Sequence, residues 1–263
     1  MTSEREDRQL AEQIDRWLGV LQALMGSPNR EWGVRELAGK LDITPSTTQR
    51  ILASLESRGF ARRSDNERYV PGPNLYALSS RLLSQSDVLI LAQEAMRELV
   101  DDLNETAHLA LYDPNSQQAV FSSSVQCAYP VRYVIEPGMR TPLNAGATGK
   151  AMLAYLPESV VADLVLPKFT ESTVTDRAAL MRELAQIRHS GYAVSSGERI
   201  EGASGIASAV LSREGVVGAL TISVPTYRFD TKRIPEFGAK LSRAAASVSM
   251  RLGSPTLMSD VVP

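Results

Sequence analysis

The sequence predicts an α+β protein with an N-terminal winged helix-turn-helix domain, a linker helix and a larger C-terminal domain around a mostly antiparallel sheet. Between residues 33 and 70, two short helical segments flank a tight turn and precede a basic strand–turn–strand pattern. From residue 106 onward, groups of alternating strand-like segments are interrupted by helical ones. We therefore expect domains at 8–72 and 87–252, joined by a linker helix over 73–86.

The first helix is predicted over Arg8 to Met25, because apolar residues recur there at helical spacing. We expect this stripe to pack against the winged domain. Its members are Leu10, Ile14, Trp17, Leu18, Leu21 and Leu24.

The helix-turn-helix begins with a short helix from Val34 to Leu41, followed by a turn at Asp42 and Ile43. Thr44 suits the N-cap of the second helix, and Pro45 suits its first position because a first-turn N–H has no helical partner to lose. In the second helix Ile51, Leu52 and Leu55 face inward. The outer N-terminal face then carries the residues that a recognition helix presents to phosphates and base edges. These are Ser46, Thr47, Gln49 and Arg50.

The wing is predicted as two strands, Phe60 to Arg63 and Arg68 to Val70, after a helix stop at Gly59. Over residues 45–70, five arginines stand against three acidic residues, which gives a local surplus of two positive charges. We expect phosphate contacts from Arg50, Arg62, Arg63 and Arg68. The alternative is a structural helical hairpin with a solvated charged turn.

The elements of the C-terminal domain follow from turn signals and hydrophobic period. Helices are predicted at 74–83, 88–103, 145–155, 158–165, 176–189 and 235–252. Strands are predicted at 108–112, 119–124, 131–135, 192–198, 205–211 and 216–224.

The composition excludes several classes of protein. A net charge of −2 in 263 residues is unlike a strongly basic nucleic-acid coat protein, so DNA affinity must come from a local patch. A single cysteine, no apolar run of membrane-spanning length and an acidic N-terminus indicate a cytoplasmic protein that needs no membrane. His108 and His189 belong to no cluster with catalytic or metal-ligand spacing. We therefore expect no enzyme activity, no metal and no cofactor.

Several segments together resemble the IclR family of bacterial transcriptional regulators, and the resemblance runs from about Trp17 to Leu252. They are Thr44–Leu52, Glu105–Ala110, Pro142–Ala151, Arg188–Ala193 and Glu201–Ala207. The resemblance implies an N-terminal winged helix-turn-helix, a GAF-like effector-binding domain, and dimers that often pair into tetramers on double-stranded operator DNA.

A helix start near Asn144 is the strongest candidate for ligand chemistry in the second domain. Small residues there expose unpaired N–H groups at the positive end of the helix dipole, where a carboxylate can approach. The resemblance implies that the amides of Gly146 and Ala147 hold the acid group of an effector. The alternative is that Asn144 merely caps a packed helix.

Two departures from the family pattern bear on the effector. Gly205 replaces a usual cysteine, and Ser195 stands near a position that is commonly acidic. Both changes leave space, so we expect a roomy pocket that prefers an aromatic or hydrophobic acid to glyoxylate. We expect its lining to include Leu109, Leu111, Val134, Leu143, Ile206 and Leu220, with hydroxyls from Thr221 and Ser223.

These observations predict a ligand-responsive DNA-binding regulator, a repressor in our interpretation, that acts as a homodimer or homotetramer. Its partners would be operator DNA and a small-molecule effector. The alternative is a small-molecule sensor or enzyme whose winged domain mediates protein contacts.

Overall fold

The computed structural model describes residues 2–26 and 31–254. The chain divides into two compact units, Met1–Gln85 and Ser86–Pro263. No helix in the described ranges is both long and apolar enough to cross a membrane.

The N-terminal unit is a winged helix-turn-helix. Its elements are α1 (Thr2–Met25), α2 (Val34–Leu41), α3 (Pro45–Ser57), β1 (Ala61–Arg63), β2 (Tyr69–Pro71) and α4 (Pro73–Gln85). Strands β1 and β2 pair antiparallel, with Arg62 opposite Val70. Their hairpin forms the predicted wing.

Local chemistry explains where the helices of the winged unit begin and end. Helix α2 ends at Asp42, which adopts a left-handed conformation with φ of 52°. The Thr44 side chain accepts a hydrogen bond from the Thr47 amide at 3.2 Å, and Pro45 opens α3, as the sequence predicts. After α3, Gly59 has a φ of 69°, a conformation that costs glycine little.

The core of this unit includes two aromatic residues that the helical pattern does not single out. Trp32 and Tyr69 are almost fully buried and form an isolated β-bridge with each other. The Trp32 indole donates a hydrogen bond to the Ala23 carbonyl oxygen at 2.9 Å. These contacts join the end of α1 to the wing.

The apolar stripe predicted along α1 is only partly buried. Val20, Ala23 and Leu24 lie in the core, and Leu21 packs at its edge. The N-terminal members of the stripe are exposed because the winged core covers only the last turns of this helix. The exposed members are Leu10, Ile14, Trp17 and Leu18.

The C-terminal unit is an antiparallel sheet between helical layers. Its elements are α5 (Asp87–Leu103), β3 (Thr106–Asp113), β4 (Gln118–Val125), β5 (Arg140–Pro142), α6 (Ala147–Leu153), α7 (Glu158–Asp163), α8 (Arg177–Ser190), β6 (Ala193–Ser196), β7 (Ala203–Ser212), β8 (Gly215–Pro225) and α9 (Ile234–Arg251). The six strands lie in the order β5-β4-β3-β8-β7-β6, and all neighbours are antiparallel. The predicted α+β class is confirmed.

Each face of this sheet has its own hydrophobic core. One face packs against α5 and α9, with Leu109, Ile206 and Leu220 among its buried strand residues. The other face packs against α6 and α8, with Ala110 and Ala207 at the neighbouring strand positions. Because consecutive strand residues point to opposite faces, one position along a strand decides which core a side chain joins.

The strand predicted over residues 131–135 is wrong. This segment has no strand structure, and Val131 and Val134 are 61% and 57% exposed. Its β-branched residues resemble a strand, but no neighbouring strand pairs with it. The sheet edge is instead the short strand β5, where Arg140 lies opposite Val120 of β4.

Candidate functional site

The N-terminus of α3 carries a cluster of hydroxyl groups. The Thr44 hydroxyl lies 3.0 Å from the Ser46 hydroxyl and donates to the Thr47 hydroxyl at 2.9 Å. Ser46 is exposed and Thr47 is half-buried. The first turn of α3 therefore presents small hydroxyl donors and acceptors at the helix start.

Gln49 and Arg50 lie on the exposed side of α3, as the helical period predicts. The Gln49 amide nitrogen donates to the Tyr69 hydroxyl at 3.1 Å, which holds this side chain against the wing. The Arg50 guanidinium has no hydrogen bond or ion pair within residues 31–254. A guanidinium with all its donors unused can contact a phosphate without losing a protein contact.

The three predicted arginines of the wing differ in how far their donors are already used. Arg62 is exposed, and its one hydrogen bond within residues 31–254 is a long one of 3.4 Å to the Arg63 carbonyl oxygen. Arg63 donates to Glu67 at 2.9 Å and to the Tyr69 hydroxyl at 3.0 Å. These bonds hold Arg63 along the wing.

Arg68 is engaged within the fold. Its guanidinium donates twice to the Glu31 carbonyl oxygen, at 3.2 and 2.8 Å, and forms an ion pair with Glu36. Removing this side chain would take away two hydrogen bonds to the Glu31 carbonyl oxygen and the ion pair with Glu36. The phosphate contact of Arg68 stays a prediction, and in the structure this side chain links the wing to the start of α2.

A pocket open to solvent lies beside α6 in the C-terminal unit. Its lining combines two aromatic rings, aliphatic side chains, hydroxyl groups and one arginine. The lining residues are Phe121, Tyr133, Ile135, Gly146, Ala147, Thr148, Ser195, Arg199, Ile200, Ala203, Ser204, Gly205, Thr221 and Ser223.

Half of the predicted pocket residues line this cavity. They are Gly146, Ala147, Ser195, Gly205, Thr221 and Ser223. Strand alternation places three of the others, Leu109, Ile206 and Leu220, in the core beneath α5 and α9, and Leu111 packs at the edge of that core. Leu143 is buried in the opposite core, and Val134 is exposed on the loop. The pocket is therefore more polar than the predicted lining.

The aromatic wall of the pocket was missed by the sequence reasoning. Tyr133 and Ile135 come from the loop that was predicted as a strand, and Phe121 comes from β4. The alternation of side chains in this segment was a useful signal, although the segment is a loop and not a strand. Tyr133 and Ile135, two residues apart, line the cavity, whereas Val134 between them is exposed. The role of Arg199 could not be predicted, because the neighbouring sequence does not indicate whether an arginine side chain has a partner in the fold.

Gly205 keeps the pocket open above α6. An added Cβ atom would lie 3.2 Å from the Ile222 carbonyl oxygen and 3.9 Å from the Ala147 Cβ atom. A larger side chain would therefore point toward the start of α6. In the same pocket, the Thr148 and Thr221 hydroxyls lie 2.9 Å apart and join α6 to β8.

The start of α6 differs from the predicted one. Gly146, with a φ of 90°, is the N-cap, and the alternative in which Asn144 caps the helix is wrong. Asn144 is fully buried, and its amide nitrogen donates to the Pro167 carbonyl oxygen at 3.1 Å. The Gly146 amide donates to the Glu198 carboxylate at 3.1 Å. The chain's own carboxylate thus occupies the first predicted anion donor.

Lys150 holds the same Glu198 carboxylate from within α6. Its side chain is 2% exposed, and its Nζ atom lies 2.5 Å from Glu198 Oε1 and 2.9 Å from Glu183 Oε2. The lysine is buried and has acidic partners, of which Glu183 is partly exposed. Both Glu198 oxygens are consequently engaged, one by Lys150 and the other by the Gly146 amide.

Two titratable groups stand out near the cavity. Burial lowers the pKa of Arg199, an effect that the nearby Tyr133 partly opposes. Burial also lowers the pKa of His108 to about 4. His108 packs edge-on against Phe121 with ring centroids 5.8 Å apart, and neither ring nitrogen has a hydrogen-bond partner in the described part of the protein.

Comparisons with known proteins cover both units. The model of the IclR helix-turn-helix domain matches residues 13–65, and the model of the bacterial transcriptional regulator IclR C-terminal domain matches residues 80–250. The HTH-type transcriptional regulator KdgR of Escherichia coli (strain K12) is 35% identical over 241 residues, which cover 89% of this chain and 90% of that protein.

Two further comparisons agree. The acetate operon repressor of Salmonella typhimurium is 30% identical over 246 residues, which cover 91% of this chain and 89% of that protein. The crystal structure of the Thermotoga maritima IclR has a TM-score of 0.76 and 27% identity, and the match covers 93% of this chain and all of that one.

Proposed function

The chain belongs to the IclR family of bacterial transcriptional regulators, and we propose that it is a repressor that binds operator DNA as a dimer or tetramer. The predicted family is confirmed, and the chain is a regulator and not an enzyme. Repression is proposed because the similar Salmonella typhimurium protein is named as an operon repressor. A small organic acid in the C-terminal pocket would switch the affinity for the operator.

The DNA-binding part of the proposal rests on the exposed start of α3. Arg50 and Arg62 are exposed cations with nearly all their donors unused, and we assign phosphate contacts to them. Ser46, Thr47 and Gln49 lie at the end of the helix that would approach base edges. Phosphate contacts position the protein, whereas base contacts determine sequence preference.

A shift assay at several salt concentrations tests these roles. The DNA would be the duplex upstream of the protein's own reading frame, with random duplex as the comparison. We expect Arg50→Ala and Arg62→Ala each to weaken binding to both duplexes and to reduce the salt slope by about one per protomer. We expect Gln49→Ala to reduce the preference for the operator over random DNA.

Arg182→Ala is the matched control, because Arg182 is an exposed arginine of α8 in the other unit. This variant should keep the wild-type slope. A slope unchanged in both Arg50→Ala and Arg62→Ala would contradict the assigned phosphate contacts. Retardation with no preference for any operator would contradict the proposed regulator function itself.

The pocket supports an effector with an apolar or aromatic body. Phe121, Tyr133 and Ile135 form one side of the cavity, and Thr221 and Ser223 bring hydroxyl groups to another. Such a ligand shifts the operator equilibrium only by its different affinity for the DNA-bound and the free protein. Stabilisation by glyoxylate or pyruvate and by no aromatic acid, in a thermal-shift panel, would contradict this choice.

The assembly state has a direct test. Sedimentation of the free protein and of its operator complex should give an even number of chains in each case. A monomer on DNA would contradict the proposed dimer.

A further inference from the structure

Arg199 is the only charged side chain among the described residues that line the cavity. It is half-buried, and it makes no hydrogen bond or ion pair within residues 31–254. A partly desolvated guanidinium normally has a carboxylate or carbonyl partner, because the loss of hydration must be offset. The pocket thus contains an unsatisfied positive charge.

No acidic side chain of the pocket neutralises this cation. Glu198 precedes Arg199 in the sequence, but its two oxygens are bound by Lys150 at 2.5 Å and by the Gly146 amide at 3.1 Å. The Tyr133 side chain, which interacts electrostatically with Arg199, lines the same cavity. The free charge therefore faces the space that a ligand would enter.

The same contacts occupy one of the two predicted amide donors, that of Gly146, and leave the Ala147 amide beside the cavity. An effector carboxylate at the Gly146 amide would have to displace Glu198, which is itself buried and ion-paired with Lys150. Breaking a buried ion pair leaves an uncompensated charge, which is strongly unfavourable. A carboxylate that meets Arg199 instead leaves the Lys150–Glu198 pair intact.

We infer that Arg199 binds the carboxylate of the effector, and that the pocket selects monocarboxylic acids with an apolar or aromatic body. This inference rests on the proposed effector-responsive function. Guanidinium and carboxylate form paired, charge-assisted hydrogen bonds. Since the described lining has one cation, a second carboxylate would enter without a cationic partner. The apolar body of the acid would lie against Phe121 and Ile135.

The test uses three probe acids and their primary amides: benzoate, phenylacetate and hexanoate. Calorimetric titration of the full chain measures each dissociation constant for the wild type, Arg199→Gln and Arg199→Lys. For at least one acid we expect binding about ten- to a hundred-fold tighter than for its amide. Arg199→Gln should remove this difference, Arg199→Lys should retain part of it, and the amide affinities should stay unchanged.

Arg182→Gln serves as the control for loss of a distant arginine, and circular dichroism shows that each variant is folded. Equal loss of acid and amide binding in Arg199→Gln would overturn the inference, because the arginine would then only shape the cavity. Should none of the acids bind to a wild type that still recognises its operator, the inference fails and the regulator function stands. Loss of operator recognition in the wild type would instead contradict the proposed function.

Discussion

His108 should make the C-terminal unit lose stability as the pH falls below neutrality. Its side chain is 1% exposed, and both ring nitrogens lack hydrogen-bond partners within the described residues. Burial lowers its pKa to about 4, from an ordinary value of about 6.5. The folded protein therefore disfavours the protonated imidazole, and the unfolded chain accepts it freely.

The sign and size of the effect follow from this difference. Above about pH 6.5 both states are neutral at this residue, so the folded state bears no penalty. As the pH falls toward 4, the His108 imidazole becomes protonated in the unfolded state but stays largely neutral in the folded state. At pH 4.5 the expected loss is roughly 2.5 kcal/mol, at about 1.36 kcal/mol for each pKa unit of difference.

Urea unfolding followed by circular dichroism measures this loss between pH 7 and pH 4.5. Tryptophan fluorescence is unsuitable, because Trp17 and Trp32 are the two tryptophans of the chain and both belong to the N-terminal unit. We expect the loss to be roughly 2.5 kcal/mol smaller in His108→Leu than in the wild type. Carboxylates titrate equally in both proteins and cancel.

The chain supplies its own control, since it has two histidines and His189 is exposed on α8. His189→Gln is the matched control for the loss of one histidine. If His108→Leu and the wild type lose the same stability between these pH values, the buried imidazole is not the group that titrates and the reasoning is refuted.

Three further substitutions test contacts around α6 and β8. Lys150→Met should destabilise the C-terminal unit by about 3–5 kcal/mol, because it leaves the buried Glu198 carboxylate without its cation. Lys168→Met, which removes an exposed ion pair, should destabilise it by less than about 1 kcal/mol. Gly218→Ala should cost at least about 1–3 kcal/mol, because its Cβ atom would collide with a backbone carbonyl of β3. Thr148→Val should cost about 1–3 kcal/mol by leaving a buried hydroxyl of β8 unpaired, and Thr148→Ser should recover most of it. Urea unfolding gives all three values, and equal midpoints for a variant and the wild type would contradict the corresponding contact.

The sequence predicts the winged unit well because its determinants are local. The N-cap at Thr44 and the stop at Gly59 depend on residues within one turn of themselves. The aromatic pair Trp32 and Tyr69 is different, since its bridge joins positions 37 residues apart along the chain. Helical period carries no information about such a pair.

The proposed effector pocket was harder to predict, because its lining depends on which face of the sheet each strand residue occupies. The mostly antiparallel sheet was predicted, but an error of one position moves a residue to the opposite core. Thr221 lines the pocket while Leu220 beside it packs under the helices of the other layer. Apolar character favoured Leu220 as a pocket residue, whereas the pocket face carries the small and polar side chains.

The assignment of the effector's anion donor shows why pocket chemistry requires the whole fold. From the sequence alone, Gly146 is a glycine at a helix start and Glu198 is one acid in a charged turn. The fold brings these residues together over 52 positions and adds Lys150, so the helix amide already holds an internal carboxylate. With Glu198 neutralised in this way, its neighbour Arg199 is left as the free charge of the pocket. Glu198→Gln should therefore weaken the bond to the Gly146 amide and leave Glu183 as the carboxylate that pairs with Lys150.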